Sequence, residues 1–185
     1  VATSDLLTST VDEDTLRARF DYPEAAAQHV QQLLLKLESE LDPLKSASIH
    51  GEIGNFQRGL GLLDSAVEHL LAALLLVETR QEARRQEVVY SIRLAHVYHW
   101  QAEWEKARVL FDDLLTRTAA AEFLDLRDFV LQHRGKMFFD QQSYAEALRD
   151  FEDALVLRNK KGDAELIAST MQVQAATRRR MERSR

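Results

Sequence analysis

The chain has 185 residues, 24 basic against 30 acidic for a formal charge of −6, 45% apolar side chains and no cysteine. This composition suits one globular domain and excludes a disordered chain, disulfides, thiol chemistry and cysteine-ligated metal, in keeping with a reducing, cytoplasmic setting. The longest apolar run, residues 70–77, falls far short of the roughly 20 residues that cross a bilayer, so no membrane segment is expected.

With only 6 Gly and 2 Pro, long and rarely interrupted helices are predicted. No leader with a basic stretch before an apolar one is visible in VATSDLLTST. In chain order, DEDTLRARF from Asp12 reads as a short helix opening a degenerate first unit, residues 12–42. PEAAAQHVQQLL from Pro23 reads as a helix, and Asp42-Pro43 supplies a cap and a first-turn proline for the next one. Helical pairs follow: HGEIGNFQ at His50 with LDSAVEHLLAAL at Leu63, SIRLAHVY at Ser91 with WEKARVLFDDLL at Trp104, and LQHRGKMF at Leu131 with YAEALRDFEDAL at Tyr144. A final helix, roughly residues 163–183, turns polar after Ala176 and reads as a cap.

These elements repeat. The second helices start at 23, 63, 104 and 144, so the period is 40 to 41 residues. Each carries Ala fourth, at Ala26, Ala66, Ala107 and Ala147, and an apolar residue four later, at Val30, Leu70, Phe111 and Phe151. Such offsets share one helical face. The first helices carry Gly54, Ala95, Gly135 and Ala175, small residues that let two helix backbones approach. The expected organisation is a single domain, 1–185, with full repeats at 43–80, 82–120 and 121–161 and a capping helix at 163–185.

Ile53-Gly54, Leu94-Ala95 with Tyr98, and Gly135 with Phe138, followed by the Ala and Phe or Leu of each second helix, resemble the tetratricopeptide repeat family. His50, Ser91 and Leu131 replace its usual aromatic, Arg134 replaces a Leu, and the closing Pro is missing. The period is about six residues longer than the usual 34, as in the extended repeats of bacterial regulatory proteins and motor light chains. The resemblance implies an all-α, right-handed α-solenoid of stacked hairpins that binds a protein or peptide without catalysis. An alternative use in the family is a sensory or regulatory input module of a signalling or transcription-regulating system.

In that family the groove is lined by the first helices, and the matching positions are Asn55, Arg58, Arg93, His96, Gln132, His133 and Lys136. They hold three fixed cations and no carboxylate in a chain that is otherwise acidic. An acidic segment or a free C-terminal carboxylate is therefore the expected partner. The match to a chaperone-tail clamp fails, since Gly51, Phe129 and His133 stand at its basic positions and Arg93 at its second asparagine.

Other chemistry finds little footing. His96, His99 and Glu103 have helical spacing for a metal, but His96 and His99 are polar positions of a repeat helix, so neither metal nor cofactor is expected. His50 takes a packing position. Asp112 with Asp113, and Glu152 with Asp153, read as hydrated faces, not as acid/base couples. No phosphate loop or nucleophile elbow appears, so no enzyme is expected. RRRMERSR from Arg178 lacks interleaved aromatics, and nucleic acid is not the expected partner. Leu71 and Leu75 stand where the next copy has Asp112 and Thr116. They mark either a self-association patch, which would allow a homodimer, or a surface covered by the first unit.

Overall fold

The computed structural model describes residues 7–184. Expectations that fall on residues 1–6 and on Arg185 lie outside them. The fold is all-α and of helical-repeat type. The helices are α1 (Pro23–Ser39), α2 (Pro43–Gly59), α3 (Leu63–Val77), α4 (Arg84–Trp100), α5 (Trp104–Arg117), α6 (Arg127–Asp140), α7 (Tyr144–Lys161) and α8 (Ala164–Arg183). Thus α1, α3, α5 and α7 begin at the four residues where the sequence copies begin. No helix among the described residues is long and apolar enough to cross a membrane.

The chain gathers into two compact units. The first takes in the described residues up to Asp12 together with Arg17–Ala107, and the second Glu13–Leu16 and the described residues from Arg108 onward.

In the first unit, Asp42 caps α2 by accepting from the backbone N–H of Leu44 (2.8 Å) and Lys45 (3.1 Å), with Pro43 in the first turn. These two backbone bonds hold the Asp42 carboxyl below its ordinary value. Helix α1 buries Val30 and Leu33 against Ile49 and Ile53 of α2. Each fully buried aliphatic side chain of this kind contributes about 1.5–3 kcal/mol. Helices α2 and α3 cross at Gly54, where a Cβ would stand 2.7 Å from Leu70 Cγ and 3.0 Å from the Ala66 carbonyl oxygen. Only hydrogen fits there, which explains the small residue.

In the second unit, Gly135 of α6 plays the same part against Phe151 of α7, with Cε1 2.6 Å from where a Cβ would be. Phe139, Ala147 and Phe151 form one apolar cluster with Leu16 and with Val173 and Ala176 of α8. Asp163 caps α8 through Leu166 N–H at 3.0 Å. A buried polar network closes the α6–α7–α8 group. Arg158 donates to Asp128 Oδ2 (2.9 Å), to Thr170 Oγ1 (2.7 Å) and to the Leu166 carbonyl (3.0 Å), and Lys161 donates to Asp128 Oδ1. Asp128 is fully buried, so the pair is tolerable only because every partner is in place.

Two expectations change. The stretch from Asp12 forms no helix: β1 (Ser9–Val11) and β2 (Ala18–Phe20) pair antiparallel, Thr10 opposite Arg19. The acidic turn is too short to nucleate a helix, whereas Thr10 and Val11 favour extended backbone. Leu16, at φ 52°, turns the chain back. Ala175 holds the repeat position but is exposed among the described residues.

Candidate partner-binding face

The family-matched positions divide between the units: Asn55, Arg58, Arg93 and His96 in the first, Gln132, His133 and Lys136 in the second.

In the first unit, α2 and α4 run side by side and border an open, solvent-facing cavity of about 500 Å³, lined by Ser48, Glu52 and Asn55 of α2 and by Gln86, Tyr90 and Arg93 of α4, among others. Offsets of three and four put these residues on one face of each helix. Arg93 donates to the Gly51 carbonyl at 2.8 Å. Burial pushes the Arg93 guanidinium below its ordinary value, although Tyr90 and Glu52 pull the other way.

Arg58 lies one turn from Asn55 and donates to its Oδ1 at 3.2 Å. Its Nε and Nη1 are buried and have no hydrogen-bond partner among the described residues. Burial first, and the nearby Arg93 second, push Arg58 down to about 10. It remains a cation at neutral pH, with its Cζ 4.7 Å from the Trp100 ring centre, a cation–π contact.

The second unit shows what a satisfied arginine looks like. Arg134 of α6 donates to both oxygens of Asp150 at 2.8 Å and to Asp112 at 2.9 Å. Burial works against its charge, but the bonds to Asp150 and Asp112 hold it above its ordinary value. Asp112, expected on a hydrated face, is thus an ion-pair partner. Glu152 likewise pairs with Arg178 at 3.7 Å.

Several expected groove side chains are not displayed. His96, Gln132 and Lys136 are buried, and His133 is half-buried. The His96 ring stacks on His99 at 5.8 Å and meets the edge of Trp100 at 5.3 Å. His99 also contacts Trp104, so both histidines serve packing. Glu103 pairs with Lys106 at 3.3 Å. Gln132 has both amide atoms buried without a partner among the described residues.

The carboxylate-free groove also needs correction. Glu52 shares the cavity with Asn55 and Arg93, and its Oε1 is 2.8 Å from His29 Nε2. It sits on the second-next turn before Arg58, at an offset the matched positions skip. Tyr90 and Trp100 were missed for the same reason; for Trp100 the available signal was an aromatic in the last turn of two of the three first helices, Trp100 in α4 and Phe139 in α6.

The Arg-rich end is balanced within its own unit, since Arg179 pairs with Glu13 (2.7 Å) and Arg180 with Asp14 (2.8 Å). Leu71 and Leu75 are 46% and 73% exposed. The degenerate N-terminal repeat, residues 12–42, does not cover them, because the apolar face of α1 is spent on α2.

No family model and no curated protein matches the sequence. Among solved structures, the chain is similar to the crystal structure of BtubC (BKLC) from P. vanneervenii, with a TM-score of 0.64 and 17% identity over 84% of this chain and 65% of that one. At this identity the likeness is one of fold. The chain spans just under two thirds of that protein.

Proposed function

We propose that the chain is a non-enzymatic binding module of the tetratricopeptide-repeat type, and that the α2–α4 face of its first unit captures an acidic protein segment. Arg58 carries this reading. A buried guanidinium without a carboxylate is costly, and this one has two buried N–H groups without partners beside a second arginine. A carboxylate arriving from a partner would supply the missing acceptors through short, charge-assisted bonds. The net charge of −6 keeps acidic segments away from the rest of the surface, which favours selective capture here.

The test is fluorescence anisotropy with acidic peptides titrated against the full chain, at low and at high salt. Arg58→Gln should weaken binding by about 10- to 100-fold, the size expected for a charged hydrogen bond. Arg93→Gln should weaken it less, because Glu52 already offsets that cation. Arg149→Gln, an exposed arginine paired with Glu146, should leave affinity unchanged. Binding that is indifferent to Arg58→Gln while circular dichroism shows the fold intact would reject the proposal.

A further inference from the structure

Opposite charges meet at one point of the α2–α4 face. Gly51 makes this possible: a Cβ there would stand 2.4 Å from Tyr90 Cε1, so the buried Tyr90 ring lies directly against the α2 backbone. One turn further along α4, Arg93 reaches the Gly51 carbonyl at 2.8 Å. That bond anchors the guanidinium at the residue just before Glu52. The Glu52 carboxylate is near enough to act on the Arg93 titration, and both side chains border the open cavity.

The protein leaves both groups able to take an outside partner. Arg93 places one of its five N–H groups in the bond to Gly51. Glu52 has one hydrogen bond among the described residues, accepted by Oε1 from His29 Nε2 at 2.8 Å, and its side chain is 45% exposed. A carboxylate offers about four lone-pair sites, so Glu52 can still receive a donor. Phe56 and Val89 add apolar contact in the same cavity, as ligand sites commonly do.

A segment whose charges are all negative suits this arrangement poorly. Its first carboxylate finds the arginines, but a second beside it meets Glu52 with like charge. The segment must also approach a chain of net charge −6. A Lys or Arg beside the acidic residue removes both penalties and supplies the donor that Glu52 can take.

We propose that Glu52 is a specificity-determining residue, and that this face takes an extended segment of mixed charge, with a basic residue one or two positions from its acidic one. This rests on the reading of the α2–α4 face as the partner-binding surface. The close spacing follows from the step between Gly51 and Glu52, since neighbouring charges on the protein need neighbouring charges on the partner. Extended chain advances about 3.3 Å per residue, so a separation of five residues, roughly 16 Å, carries the cation past Glu52.

The experiment titrates the full chain into short peptides with blocked ends, identical neutral flanks and an uncharged dye, read by fluorescence anisotropy. One peptide carries Asp and Lys two positions apart, the second carries Asp in both places, and the third carries Asp and Lys five positions apart. The first should bind about three- to fivefold more tightly than either of the others, the size of a partly exposed ion pair. Glu52→Gln keeps an acceptor for His29 and should remove that preference, weakening the first peptide and strengthening the second. Glu52→Lys should invert it. Equal binding of the first two peptides to the wild-type chain, or a preference that persists in Glu52→Gln with the fold intact by circular dichroism, would overturn the proposal. If those two peptides bind equally and Arg58→Gln weakens both, the selectivity fails and the acidic-segment reading survives. Failure of every peptide to bind the wild-type chain would overturn both.

Discussion

His50 and His69 approach Nδ1 to Nδ1 at 2.8 Å across α2 and α3. One nitrogen must donate and the other accept, so the contact requires at least one neutral ring. Burial lowers both titrations; His69 lowers that of His50 further, and Glu68 draws that of His69 partly back. With folded values below the ordinary 6.5, the unfolded chain binds more protons near that pH, and stability rises with pH. The contribution is fully present above about 6.5 and is lost as pH falls through the lowered folded values. Thermal melts between about pH 8 and pH 5 should therefore show a falling midpoint that flattens in His69→Gln. An identical slope in the variant would place the pH dependence elsewhere. At this scale the sequence shows position but not company. It marks His50 as a packing residue, yet a partner 19 residues away follows from the hairpin geometry alone. In the same way Arg58 and Arg134 look alike as letters, and only the placement of Asp112 and Asp150 separates a satisfied cation from an unsatisfied one.

The elements were legible where the hydrophobic period was strong, as in the four second helices and in the Asp42-Pro43 start. They were illegible where it was weak: strands of three residues leave no alternation to read, and the β-hairpin passed for a helix. Between these extremes lie the three helical turns. Gly61, Ala102 and Gln142 occupy the same repeat position and all have positive φ, at 79°, 59° and 61°. Each turn closes with the same bond, from Leu62 N–H to Gln57 O, Glu103 N–H to Tyr98 O and Ser143 N–H to Phe138 O, all 2.9 Å. That is the helix-ending motif for which glycine is suited, and only the first turn uses it. A side chain in this left-handed region costs about 1–2 kcal/mol. Ala102→Gly and Gln142→Gly should each stabilise the protein by about 1 kcal/mol, partly offset by the entropy glycine gains on unfolding. Urea titration should show a higher midpoint at an unchanged slope. A lower midpoint for Ala102→Gly would mean that the alanine methyl makes a contact worth more than the strain.

For the molecule as a whole, the 40- to 41-residue period announces an array in which each hairpin is supported mainly by its neighbours, and stability should then be local. What the period could not announce is that the chain gathers into two units, each with its own close-packed crossing: Gly54 on Leu70 in the first, Gly135 on Phe151 in the second. Because Phe151 is fully buried, it has little room to yield, and Gly135→Leu should overpack the second unit at a cost of about 1–3 kcal/mol. In hydrogen exchange, amides of α6, α7 and α8 should speed up while those of α2 and α3 keep their rates. Gly54→Leu should give the mirror image, with faster exchange in α1, α2 and α3 and unchanged rates in α7 and α8. The pair of variants is needed, since either result alone could reflect one fragile region. Uniform acceleration along the chain in both variants would show that the two units open as one cooperative body and that stability here is global.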